Sequence, residues 1–113
     1  MTTPSSRFLE IVKRYGIRLH DVGSSEIGLP RKACLAAIDA LTDPRTMILG
    51  GDVWRLTERG SEPAYANWHC EPTDGEQVAD YAIRSRQVAR EYVSSYPDED
   101  DGTTIYSLVM GRR

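Results

Sequence analysis

The sequence is poor in the residue types on which several common functions depend. Only two cysteines, Cys34 and Cys70, occur in 113 residues. They are too few for the disulfide framework of small secreted domains, so we expect free thiols. No apolar run approaches the roughly 18–20 residues that cross a bilayer, and the N-terminus lacks the apolar stretch of a signal peptide. We therefore expect a cytoplasmic protein with no membrane partner.

The sequence also has fewer basic residues than acidic residues. The chain has 14 Lys and Arg against 17 Asp and Glu, a net charge of −3. Nucleic-acid binders neutralise phosphates with clustered Lys and Arg, so no nucleic-acid partner is expected. An acidic surface better suits a basic protein partner. The length is that of one domain, predicted to span residues 1–113, because domains commonly contain about 100–150 residues.

Helical spacing of apolar residues predicts three helices. The first covers residues 5–16 and the second covers residues 30–43. The third and longest follows Asp74, which stands three residues before Gln77 as in a capping box. Its buried stripe is predicted to consist of Val78, Tyr81, Ala82, Ser85, Val88, Ala89, Tyr92 and Val93.

The exposed face of the third helix is charged. On that face Asp80 and Arg84 stand four residues apart, a spacing that places two helical side chains side by side. We therefore expect these two side chains to form an ion pair.

Runs of β-branched and aromatic residues predict strands at residues 46–56, 64–70 and 103–110. Residues 60–63 are predicted to form a turn, and residues 17–30 are predicted to be irregular apart from a short strand near residues 17–19. Helices and strands in this order predict an α+β fold, a small and mostly antiparallel sheet packed against two or three helices.

The stretch ILGGDVW at residues 48–54 interrupts the first long strand pattern. Gly50 and Gly51 match neither of the glycine patterns that cradle phosphates. We interpret them as a corner between strands, where glycine supplies a positive φ or a bulge. Asp52 would fix that corner through hydrogen bonds to nearby amides, or it would contact a partner.

Two tryptophans are present, and this residue type both fills cores and anchors interfaces. In a regular strand adjacent side chains face opposite ways. With Val53 and Cys70 facing inward, Trp68 is predicted to face inward as well and Trp54 to face outward. The corner would then present Trp54 to a partner.

Residues with catalytic or metal-binding chemistry form no familiar pattern. His69 and Cys70 are adjacent in a predicted strand, so their side chains point to opposite faces. The spacing of His20, Cys34, His69 and Cys70 matches no zinc motif. We expect no metal, no cofactor and no catalysis. A thiol hydrolase that uses Asp52, His69 and Cys70, or a small ligand-binding module, remains an alternative.

The segment DEDDG, residues 98–102, is strongly acidic. It departs from the calcium-loop pattern, because glycine stands fifth rather than sixth and valine rather than glutamate stands twelfth. We interpret it as a solvated turn that offers a contact to a basic partner. The predicted partner-binding residues are Asp52, Trp54, Glu71, Asp74, Asp98, Glu99, Asp100 and Asp101.

Four segments in this order, ILGGDVW, NWHC, SRQVAREYVSSY and IYSLV, resemble the immunity protein 40 family of bacterial polymorphic toxin systems. The resemblance covers about residues 33–109. It implies a small cytoplasmic α+β protein that is not an enzyme and that binds and neutralises a cognate toxin domain. The family-motif or structural positions that it implies are Gly50, Gly51, Asp52, Trp68, Ser85 and Tyr92.

Overall fold

The computed structural model describes residues 6–19 and 27–112, in which three helices and five strands form an α+β fold, as predicted. The helices are α1 (Ser6–Tyr15), α2 (Arg31–Asp39) and α3 (Val78–Ser95). The strands are β1 (Ile17–Arg18), β2 (Ile27–Pro30), β3 (Thr46–Thr57), β4 (Gly60–His69) and β5 (Thr104–Arg112).

The strands form one antiparallel sheet in the order β1-β2-β5-β3-β4. The last strand of the chain, β5, therefore lies in the middle of the sheet, where it pairs with β2 on one side and β3 on the other. β3 and β4 are joined by a tight hairpin whose turn is Glu58 and Arg59. Residues 60–63, predicted as the turn, lie within β4 instead.

The main core lies between one face of the sheet and the helices. Val53 of β3 and Tyr106 of β5 point into this core together with residues of all three helices. A smaller apolar cluster contains Leu19, Trp54 and Ile105. Since adjacent strand residues alternate between faces, this second cluster lies on the opposite face of the sheet. Both faces of β3 and β5 thus carry buried apolar side chains.

Two helix boundaries differ from those predicted. α2 ends at Asp39, before the predicted end at residue 43. α3 begins at Val78, and Gln77 at its N-cap makes no side-chain capping bond. The predicted pairing of Asp74 with Gln77 is therefore wrong.

The segment predicted to be mostly irregular contains a second strand. β1 confirms the short strand expected near residues 17–19, but β2 at Ile27–Pro30 was not predicted. Its four residues include Gly28 and Pro30, which weaken the local strand signal. Pairing with β5 makes it a strand, and that pairing is a tertiary interaction. His20 lies outside the described residues.

Candidate functional site

The two glycines of the central motif lie inside β3, which runs without a corner from Thr46 to Thr57. Neither has a positive φ, so the predicted corner is wrong. The bulge is present: the register between β3 and β5 shifts between Ile48 and Gly50. A Cβ at Gly50 would overlap the carbonyl oxygen of Trp68, and a Cβ at Gly51 would overlap the Trp68 ring. Both glycines therefore allow Trp68 of β4 to lie close to the backbone of β3, and neither forms a turn.

Trp68 lies in the main core between the sheet and α3, as predicted. Its ring covers Gly51 on one side. On the other side it stacks against Tyr92 of α3, with ring centroids 4.7 Å apart and an interplanar angle of 27°. The Trp68 ring fits at this position because Gly51 has no side chain.

Ser85 is the polar member of the same contact between α3 and the sheet, and it is fully buried. Its hydroxyl donates to the carbonyl oxygen of Ala82 at 2.8 Å and accepts the N–H of Ile48 at 3.0 Å. Ile48 adjoins the bulge, where the ladder to β5 shifts. The hydroxyl supplies a partner that a buried amide would otherwise lack.

Five of the six motif positions thus form one packing unit, which we name the motif cluster. It consists of Gly50, Gly51, Trp68, Ser85 and Tyr92. It holds α3 against β3 and β4, and its members are buried or half-buried. The cluster therefore fixes the position of α3 on the sheet and is not itself a binding surface.

Asp52, the sixth position, lies outside the cluster. It faces the side of the sheet opposite Val53, is half-buried, and lies between Ser107 of β5 and Asn67 of β4 in the register. The prediction that it fixes a turn is wrong because β3 is continuous at this point.

Trp54 is buried, with 8% of its surface exposed, so the prediction that a corner presents it at the surface is wrong. Its indole Nε1–H donates to Ser107 Oγ at 2.9 Å. It packs with Leu19 and Ile105 on the second face of the sheet. Alternation correctly separates Val53 from Trp54, but the face on which Trp54 lies is also covered.

The acidic segment is only partly a solvated turn. The Asp98 side chain is 2% exposed, and it accepts a hydrogen bond from the Tyr106 hydroxyl at 2.7 Å. Arg31 Nε lies 3.6 Å from the same carboxylate. Burial and the bond to Asp98 raise the pKa of Tyr106, which keeps this hydroxyl protonated as the donor. Asp98 is a buried anchor, so the prediction that it is a solvated residue of the turn is wrong.

The three acids after Asp98 are exposed. Asp100 has a φ of 57° and lies 3.3 Å from Arg31 Nη1. Asp101 accepts the Thr103 N–H at 3.0 Å, and its hydrogen bonds with Thr103 lower its pKa. Asp100 and Asp101 therefore also shape the turn, whereas Glu99 projects from it.

Residues 18–110 match the family model described as Immunity protein 40, so the match covers most of the chain and every motif position. The chain belongs to the immunity protein 40 family. No curated protein and no solved structure matches it. The match begins at residue 18, earlier than the resemblance at about residue 33, and therefore includes β2 and the second residue of β1.

In this immunity protein 40 member, the exposed acids of the predicted partner-binding set occupy two separate places. Glu71 and Asp74 follow the end of β4, beside His69, which pairs with Gly50. The acidic turn precedes β5, whose Thr104 pairs with Arg55. Gly50 and Arg55 are five residues apart on β3, about 16 Å at 3.3 Å per residue. The structure does not bring the two acidic groups together.

Arg84 of the family member pairs with Glu76 rather than with Asp80, which corrects the predicted ion pair. Its Nη2 and Nε lie 2.7 Å and 2.8 Å from the two Glu76 carboxylate oxygens. Glu76 also accepts the Thr73 N–H at 3.0 Å, and its own N–H donates to the Thr73 carbonyl. The spacing of Thr73 and Glu76 is that of a capping box, but in the structure these residues form a turn before α3, which begins at Val78.

Replacing Glu76 with glutamine should lower thermal stability at pH 7, whereas Asp80→Asn should change it little. The Arg84 and Thr73 hydrogen bonds lower the pKa of Glu76 from 4.5 to about 2. The stabilisation is therefore complete above pH 4.5 and is lost as the pH falls towards 2. Unfolding curves at pH 7 and pH 2.5 should show the difference between E76Q and wild type shrinking at the lower pH. A pH-independent difference would contradict the assigned ion pair.

The thiols of this chain are poorly placed for catalysis. Cys70 is buried near Met47 and Tyr81, whereas His69 is exposed on the opposite side of the strand. Burial raises the pKa of the Cys34 thiol to about 12. Among the described residues, no group of three or more His, Cys, Asp and Glu is arranged to hold a metal ion. In that part of the chain, no helix combines the length and apolar character needed to span a membrane.

Proposed function

We propose that this protein binds a cognate toxin domain of a bacterial polymorphic toxin system and neutralises it in the cytoplasm. The observation that carries this proposal is the family match over residues 18–110. Neutralisation proceeds by protein–protein contact and requires no catalytic group of this chain. An interface of standard size covers about 800 Å² on each partner. The protein exposes 7125 Å² in total, so the toxin would cover about one ninth of it.

The contacts with the toxin are proposed to come from acids at the surface. The net charge of −3 favours a basic partner, and complementary charge accelerates association more than it raises affinity. Trp54 and Asp98 are removed from the set because they are buried. The remaining residues are Asp52, Glu71, Asp74, Glu99, Asp100 and Asp101.

Co-expression with a toxin-like domain taken from the neighbourhood of this gene tests the function. Cells that express the toxin-like domain and this protein should survive, and the two chains should purify as a one-to-one complex. A copy with an early stop codon is the control and should not protect. Death of cells that contain the folded protein, with no complex, would refute the proposal for that toxin.

A further inference from the structure

The outer edge of β4 is open in the described structure. β4 is the last strand of the sheet and pairs with β3 on one side. Within residues 6–19 and 27–112, no strand pairs with its other side. Unpaired main-chain groups along such an edge are a template for an added strand.

One hydrogen bond shows which residues of β4 point their main-chain groups towards the open edge. The Cys70 N–H donates to the carbonyl oxygen of Leu49 at 2.9 Å. Antiparallel pairs alternate between bonded and non-bonded positions, and the register continues unbroken from this pair to Ala66. The main-chain groups of Trp68 and Ala66 therefore face β3. Those of Asn67 and His69 face away from β3, at the open edge.

The first half of β4 is protected against strand addition. Pro63 has no N–H to donate. Tyr65 has a φ of 58°, and the register with β3 skips Ala64 and Tyr65 between Pro63 and Ala66. Proline and bulges are devices by which natural sheets block their edges. Residues 66–69 carry neither device, so the receptive edge is confined to them.

This short edge is also held rigidly. Trp68 is fixed between Gly51 and Tyr92, so the strand does not have to be ordered when a partner binds. Such preorganisation reduces the entropic cost of association. Beside it, the bulge places Tyr65 in solvent with 92% of its surface exposed, and tyrosine is enriched among residues that dominate binding energy.

We propose that an extended segment of the toxin domain adds as a sixth strand to residues 66–69 of β4, an inference that rests on the proposed function. Its main chain pairs with the outward groups of Asn67 and His69. Exposed Glu71 and Asp74 lie just beyond the end of this strand, so the segment carries basic side chains at that end.

The variant Asn67→Pro tests the main-chain pairing with the toxin-like domain used for co-expression. Proline removes an outward N–H and leaves the β3 ladder intact, so the melting temperature should change little. The dissociation constant should rise at least tenfold, about 1.4 kcal/mol. Asn67→Ala is the matched control, which loses the same side chain, keeps the N–H and should bind like wild type. Equal loss in both variants, or in neither, would overturn the proposal.

Amide hydrogen exchange tests the same edge without mutation. The N–H groups of Asn67 and His69 should exchange freely in the isolated protein and become protected in the complex. A stable wild-type complex that leaves both amides unprotected would overturn the edge inference while the proposed function stands. Failure of the wild-type protein to bind the toxin-like domain would overturn both. Concentration-dependent protection without the toxin would identify a second copy of this chain as the occupant and would also overturn the inference.

Charge reversal tests the orientation of the added strand. Glu71→Lys should slow association with the toxin-like domain roughly tenfold at low ionic strength, an effect that salt reduces. Glu58→Lys, which makes the same change in the exposed hairpin turn at the other end of β4, should leave the association rate near that of wild type. The reverse ranking of the two variants would overturn the proposed site.

Discussion

Replacing Gly51 with alanine should destabilise the protein by about 3 kcal/mol, a larger effect than its single added methyl group would produce at most sites. A Cβ there would overlap both the Trp68 ring and the Ser107 carbonyl oxygen. The oxygen belongs to the β5 backbone, which cannot move without breaking the central ladder. The Trp68 ring cannot move freely because Tyr92 stacks against its other side.

Thermal unfolding measures this effect, and a fall of roughly 10–20 °C in melting temperature is expected. Gly111→Ala is the matched control, because Gly111 is also a β-strand glycine without positive φ. The nearest atoms to a Cβ at Gly111 would belong to the flexible side chain of Leu49, at 3.0–3.1 Å. It should cost less than about 1 kcal/mol. Similar melting temperatures for the two variants would show that Gly51 is not required for Trp68 packing.

Replacing Asp98 with alanine should destabilise the protein by about 2–3 kcal/mol. The change removes the acceptor of the Tyr106 hydroxyl and leaves that hydroxyl buried. It also removes the carboxylate beside Arg31. The Arg31 side chain is partly exposed and keeps its bonds to the Tyr96 carbonyl and to Asp100, which limits the loss.

Urea denaturation measures the change, and Glu99→Ala is the neighbouring control. Glu99 is exposed, and substitutions at such positions usually alter stability by less than about 0.5 kcal/mol. If Asp98 serves folding alone, D98A protein that remains folded at low temperature should still form the toxin complex. Unchanged stability together with lost binding would return Asp98 to the interface.

The family itself could be predicted from the order of short motifs, but their roles could not. ILGGDVW and NWHC indicated positions that matter, and the structure shows that Gly51 and Trp68 matter to one another. They lie 17 residues apart and meet because β3 and β4 pair in one register. Glycine in a strand can signal a turn, a bulge or close approach, and only the neighbouring strand distinguishes among these.

The roles of the acidic residues also could not be predicted from local sequence. Asp98 and Glu99 are adjacent and chemically alike, yet one is an anchor in the interior and the other is exposed. No local pattern separates them, because the difference arises from Tyr106 on the central strand and Arg31 at the start of α2.

Local pattern was enough to predict three helices, an antiparallel sheet and the α+β class. The spacing of apolar residues, with a period of 3.6 residues in helices and 2 in strands, can be read from the sequence alone. It was also enough to place Trp68 in the core. It could not place β5 in the centre of the sheet, recognise β2, or reveal that Trp54 is covered. Alternation shows that a strand has two faces, but which of them is covered depends on segments distant in sequence.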